Sequence, residues 1–128
     1  MKLSDYEQAA ARTINTTLSD RDRLLDAAAG LAEEAGEVLG IVRKHVFPGH
    51  AFDREKLRAE LGDALWCLTM TARTAGLSLE EIATSNIEKL AKRYPDGFSS
   101  AASKNERDAI SPQPEIGQDL QDSCSRDR

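Results

Sequence analysis

At 128 residues the chain has room for one domain, which excludes a two-domain enzyme. Apolar residues at 40% and charged residues at 30% exclude a wholly disordered chain, and no apolar run approaches the ~20 residues of a membrane span. With 22 acidic against 17 basic residues the net charge is −5, without the basic footprint of a duplex-binding protein, so neither nucleic acid nor membrane is an expected partner.

The opening residues, Met1 to Glu7, lack the apolar stretch of a leader, and the cysteines, Cys67 and Cys124, form neither a disulfide framework nor a zinc spacing. The expected location is cytoplasmic. Ser4 and Glu7 have the S-x-x-E spacing of a capping box and predict a first helix with Tyr6, Ala10 and Ile14 on its apolar side. A second helix is expected from near Asp20 to about Val46, with Leu24, Ala28, Leu31, Ala35, Val38 and Val42 as its stripe, closed by Pro48-Gly49. Asp53 is a plausible N-cap for a third helix. Its stripe reads Leu57, Leu61, Ala64, Leu68, Ala72 and Ala75, and Gly76 is its natural stop. Ser78 with Glu81 repeats the capping box and opens a fourth helix carrying Leu79, Ile82, Ala83, Asn86 and Leu90, closed by Pro95-Asp96-Gly97. β-Branched alternation is absent, so the predicted fold is all-α, a bundle of four helices. From residue 99 large apolar side chains become scarce, which divides the chain into a working domain, 1–98, and a polar tail, 99–128, expected to be disordered.

The second helix carries Glu33, Glu34 and Glu37, and the third carries Glu60 and Asp63. At roughly 100° per residue each E-x-x-[ED] pair projects to one side of its helix, and an antiparallel hairpin brings the pairs face to face. Four converging carboxylates repel unless a cation neutralises them, and oxygen donors without His or Cys suit Mg²⁺ or Mn²⁺. A di-iron centre expects Glu-x-x-His, and neither His45 nor His50 stands three residues after a glutamate. Gly36, Gly40 and Gly62 lie inside helices, where close helix approach would justify them. Trp66 and Met70 project away from the main stripe of the third helix, beside Asp63; a monomer is expected to expose them, so they should pack on a second subunit or floor a base pocket.

The blocks L-A-E-E-A-G-E-V (31–38), E-L-G-D-A-L-W (60–66) and N-I-E-K-L-A-K-R-Y-P-D-G-F (86–98) resemble the MazG-like all-α nucleoside triphosphate pyrophosphohydrolases, in particular their small single-domain members. The opening D-Y-E-Q-A-A-A-R-T (5–13) and the F-P-G-H loop (47–50) are similar as well, so the resemblance spans residues 1–98. Two departures stand out: Pro48 replaces the first histidine of a common F-H-G-H loop, leaving no role to carry over there or to His50, and Cys67 stands where an aromatic is common. The resemblance implies Mg²⁺-dependent hydrolysis of nucleoside triphosphates, deoxynucleotides among them, to monophosphate and pyrophosphate, as in nucleotide-pool cleansing. It makes Glu34, Glu37, Glu60 and Asp63 the metal ligands, with Glu33 or Glu34 orienting or deprotonating the attacking water. It assigns Asn86, Lys89 and Arg93 to the substrate, with Trp66 near the base and Lys44 within reach of phosphate, and implies a homodimer or homotetramer. The alternatives are a related helical hydrolase of another pyrophosphate, or a non-catalytic helical module that binds metal or nucleotide.

Overall fold

A computed structural model describes residues 1–100; most of the predicted polar tail, together with Cys124, lies outside the described residues. Four α-helices follow one another with no strand among the described residues: α1 (Leu3–Ala10), α2 (Asp20–Val46), α3 (Arg54–Thr74) and α4 (Leu79–Arg93), with a 3₁₀ turn at Ala11–Thr13. The all-α expectation holds. The described residues fall into two compact units, Met1–Ile87 and the segment from Glu88, so α4 begins in the first and ends in the second.

The helix ends follow from their capping chemistry. Ser19 accepts the Asp22 N–H and starts α2, while Asp53 accepts the Lys56 N–H at 2.9 Å and starts α3. Helix α3 stops where Gly76 takes φ +76°, and the Leu77 N–H closes back on the Ala72 carbonyl. Ser78 and Glu81 form the expected reciprocal box, the Ser78 hydroxyl accepting the Glu81 N–H and the Glu81 carboxylate the Ser78 N–H. The box expected at Ser4 and Glu7 is not formed. Helix α1 starts at Leu3, the Asp5 carboxylate takes the Lys2 N–H, and Glu7 is engaged elsewhere.

The α2–α3 pairing dominates the first unit, and its register is antiparallel: Gly30 meets Cys67, Glu34 acts on Asp63, and Glu37 on Glu60. A Cβ on Gly30 would stand 2.9 Å from the Cys67 Sγ, so the tight crossing is there. Gly36, Gly40 and Gly62 have open space around them, so the close approach expected at those three is absent among the described residues.

The core also departs from the predicted stripes. Its buried members are Ala10, Ala27, Cys67, Met70, Ala72 and Leu79, with Thr69 among them. Met70 is fully buried, and Trp66 is half-buried against Ala10, Ala27 and Met70, with Tyr6 and Ile14 alongside. The Trp66 indole donates its N–H to the Thr13 hydroxyl at 2.8 Å. The expectation that a monomer exposes Trp66 and Met70 is therefore overturned: α1 and the turn after it cover that face of α3. Leu61 and Leu68 of the predicted stripe stay exposed, as do Leu24, Ala28, Ala35 and Val42 of the α2 stripe.

Candidate functional site

Three carboxylates meet where α2 and α3 face each other. Glu34 and Glu37, one helical turn apart, and Glu60 from the opposite helix bring one oxygen each within 4.8 Å of the others. The Glu60 side chain is only 13% exposed, Glu34 is half-buried, and Glu37 is exposed, so the cluster opens to solvent on one side. Lys56 is the nearby cation, 3.9 Å from Glu60 along α3.

Burial and mutual repulsion leave their mark on the protonation of this cluster. The Glu34 carboxyl is pushed above its ordinary pKa, first by loss of hydration and then by the charges of Asp63, Glu37, Glu60 and Glu33. Glu60 is raised by desolvation, by the Glu37 charge and by a hydrogen bond with Glu37, against a weaker opposing pull from Lys56. Asp63 is not part of the three-oxygen cluster; it lies exposed on α3, within electrostatic reach of both Glu34 and Glu60. Glu33 is exposed and adds its charge to Glu34.

These shifts set the sign of a stability effect. Over the interval between the ordinary and the raised pKa, the folded protein holds protons that the unfolded chain has released, so stability falls as pH rises through it. Glu81 acts oppositely. Its hydrogen bonds with the Ser78 N–H and hydroxyl lower its pKa, and the stability it adds is lost only as pH falls through that lowered value. In chelator, Glu34 and Glu60 are expected to lower the melting temperature as pH is raised above the usual carboxylate range. A melting temperature that climbs over this interval would contradict the repulsion described here.

Tyr6, not singled out by its sequence context, belongs to this region. Its phenol pKa is raised by burial and then by the charges of Asp63 and Cys67, which puts α1 beside the carboxylates. The Cys67 thiol is held above its usual value by burial and by Glu34 and Asp63. The signal for Tyr6 was an aromatic on the apolar side of a short helix, which any core residue would share.

Of the remaining predicted residues, Asn86 and Lys44 belong to the first unit and Lys89 and Arg93 to the second. Asn86 is exposed on α4, not enclosed in an apolar stripe. Lys44 is exposed in the last turn of α2, and its carbonyl accepts the His50 N–H. His45 faces the His50 carbonyl across 2.8 Å and leans on the Phe52 ring, which folds the F-P-G-H loop back on the helix end. In the second unit Lys89 is exposed, and the Arg93 guanidinium sits over the Tyr94 ring at 5.5 Å.

An all-α hairpin with oxygen-only donors on both of its facing helices is suited to a hard divalent cation. Residues 24–98, more than half of the chain, match the family model of the MazG nucleotide pyrophosphohydrolase domain, and the chain belongs to that family. The match takes in Glu33, Glu34, Glu37, Glu60 and Asp63 and the whole of α4, and leaves α1 outside. No curated protein and no solved structure matches the chain significantly. Among the described residues no helix is long and apolar enough to cross a membrane.

Proposed function

We propose that the chain hydrolyses nucleoside triphosphates, deoxynucleotides among them, to nucleoside monophosphate and pyrophosphate in a Mg²⁺-dependent reaction, with Mn²⁺ as a substitute. The observation that carries this reading is the meeting of Glu34, Glu37 and Glu60 within 4.8 Å in a chain of the MazG family. The donor set fits: carboxylate oxygens alone, partly dehydrated and mutually repelling, are what a small hard cation rewards. In this reading Glu34, Glu37 and Glu60 hold the metal, and Asp63 joins them by a side-chain rotation. Bound there, the metal supplies charge to the phosphate oxygens and acidifies a water.

The chain's own groups do the rest. Glu34, or Glu33 beside it, orients the water and takes its proton; lost hydration and the neighbouring carboxylates raise the Glu34 pKa and make it a stronger base than a free carboxylate. Asn86, Lys89 and Arg93 of α4, with Lys44 of α2, are the groups for the phosphates and sugar. Trp66 keeps a place near the base only through the part of its ring left exposed, since its N–H is committed to Thr13. The working domain is residues 1–98, acting in the cytoplasm on the nucleotide pool.

The test is product analysis over a panel of ribo- and deoxynucleoside triphosphates with and without Mg²⁺. Metal-dependent monophosphate plus pyrophosphate is the expected result. Diphosphate plus orthophosphate, or no turnover on any member, would overturn the proposal.

The same reading includes a homodimer or a pair of dimers. Large apolar side chains remain outside the small core: Leu25 is 70% exposed, Leu39 64% and Leu61 51%. Gly36, Gly40 and Gly62, open within the chain, lie on the same two helices and would let another helix come close. Light scattering is expected to give twice or four times the chain mass at micromolar concentration; a monomer would remove this part of the proposal.

A further inference from the structure

Helix α4 is tied to the rest of the first unit by a bond that its own sequence does not supply. The Glu7 carboxylate, from the middle of α1, accepts the backbone N–H of Leu79 at 2.6 Å, across 72 residues of chain. Leu79 is the first residue of α4, and its side chain is buried. The first turn of a helix leaves N–H groups without partners in the helix. Here Ser78 takes that of Glu81, and Glu7 takes that of Leu79. The bonds from the Leu79 N–H to Glu7 and from the Ser78 N–H to Glu81 are both charge-assisted and put two carboxylates at the positive end of α4. Arg73, from the last turn of α3, lines the same depression as Glu7, Ser78 and Glu81. The local box of Ser78 and Glu81 starts the helix, whereas Glu7 fixes where its root sits. Glu7 also lies outside the residues that match the family model.

We propose that Glu7 is a positioning residue for substrate binding: by holding the root of α4 against α1 it sets the placement of the helix that carries Asn86. This rests on the reading above that α4 contacts the nucleotide. Glu7 touches neither substrate nor metal in this account; it acts through the Leu79 N–H. Its loss therefore weakens binding without altering the carboxylate cluster.

The experiment compares Glu7→Ala, Glu7→Gln and Ser78→Ala in the full chain, with KM, kcat and the Mg²⁺ dependence measured for the best triphosphate. Ser78→Ala removes the local cap of the same helix but leaves the link to α1, so it controls for a merely weakened helix end. Glu7→Ala is expected to raise KM about tenfold, the equivalent of one lost charge-assisted hydrogen bond, with kcat and the Mg²⁺ midpoint within about twofold. Glu7→Gln, which keeps an acceptor oxygen, is expected to restore most of the KM, and Ser78→Ala to lower the melting temperature with KM unchanged. A lower melting temperature in Glu7→Ala without a change in KM would make Glu7 a structural cap and overturn the proposal, as would an equal rise of KM in Ser78→Ala.

Two further measurements separate this failure from failure of the functional reading. Asn86→Ala with an unchanged KM would remove α4 from the substrate, and the positioning role with it. Hydrogen exchange reads the link itself without turnover. Amides of residues 79–87 are expected to lose protection in Glu7→Ala while those of α2 and α3 keep theirs, and unchanged protection would overturn the link.

Discussion

Glu60→Gln is expected to abolish metal-dependent turnover, by about three orders of magnitude, and at the same time to raise the melting temperature of the metal-free protein. The two effects have one cause. Glu60 is the most enclosed of the three clustered carboxylates, with the Glu37 and Asp63 charges adding repulsion and Lys56 at 3.9 Å partly offsetting them. Without a cation its charge destabilises the folded chain, so an isosteric neutral group relieves strain. In the metal-binding role proposed above, that same charge is what a cation would bind. Mg²⁺ is accordingly expected to raise the melting temperature of the unaltered chain and to leave the variant nearly unmoved. Thermal melts with and without Mg²⁺, beside the product assay, read all three quantities. Turnover within about tenfold of the unaltered chain at saturating Mg²⁺ would sink the assignment of Glu60 as a ligand. A less stable metal-free variant would show that Glu60 serves the fold instead.

The second large effect is structural. Met70 is fully buried where α1, α2 and α3 meet, in contact with Ala10 and Ala27 and with Trp66 beside it. Its neighbours are small and the helices are held close by the Gly30–Cys67 crossing, so little can move to refill the space. Met70→Ala is expected to cost about 2–5 kcal/mol, a large share of the roughly 5–15 kcal/mol that a domain of this size possesses. Urea or thermal unfolding at fixed protein concentration measures it. Met70→Leu, of similar volume, is expected to stay within about 1.5 kcal/mol. A Met70→Ala chain as stable as the parent would mean that α1 does not seal this face in solution.

These two residues also show what was legible in the sequence. Helix α2 is readable from near Asp20 to Val46, because its apolar stripe is continuous and Pro48-Gly49 is local stop chemistry that no distant contact overrides; the Ser19 cap emerges only in the structure. The approach of Glu37 to Glu60 was legible for a similar reason: two i,i+3 acidic pairs on helices joined by a short loop leave an antiparallel hairpin little choice of register. What the sequence concealed was which face of α3 the chain covers. Two apolar faces compete there, one with Leu61 and Leu68 and one with Trp66 and Met70, and periodicity ranks the leucine face first. The choice is made by α1, an eight-residue helix whose docking depends on Ala10 and Tyr6 packing in one cluster with Met70 and Trp66, a matter of shape and not of pattern. Glu7 is hidden in the same way, since S-x-x-E is a local signal and the partner of Glu7 lies 72 residues away.

The antiparallel register has a consequence for how such a chain tolerates changes in length. Gly30 opposite Cys67, Glu34 opposite Asp63 and Glu37 opposite Glu60 all belong to one alignment of α2 with α3. Adding or removing residues within 47–53 lengthens or shortens the hairpin's tip and leaves that alignment intact. A single residue inserted into α2 between Gly30 and Glu34 turns everything beyond it by about 100° and shifts it by about 1.5 Å. Glu34 and Glu37 would then leave the face that meets Glu60, although every acidic side chain would still be present. Variation in length is thus cheap at the tip and prohibitive along the rods, and the spacing between the two acidic pairs can drift only through the residues that join the helices.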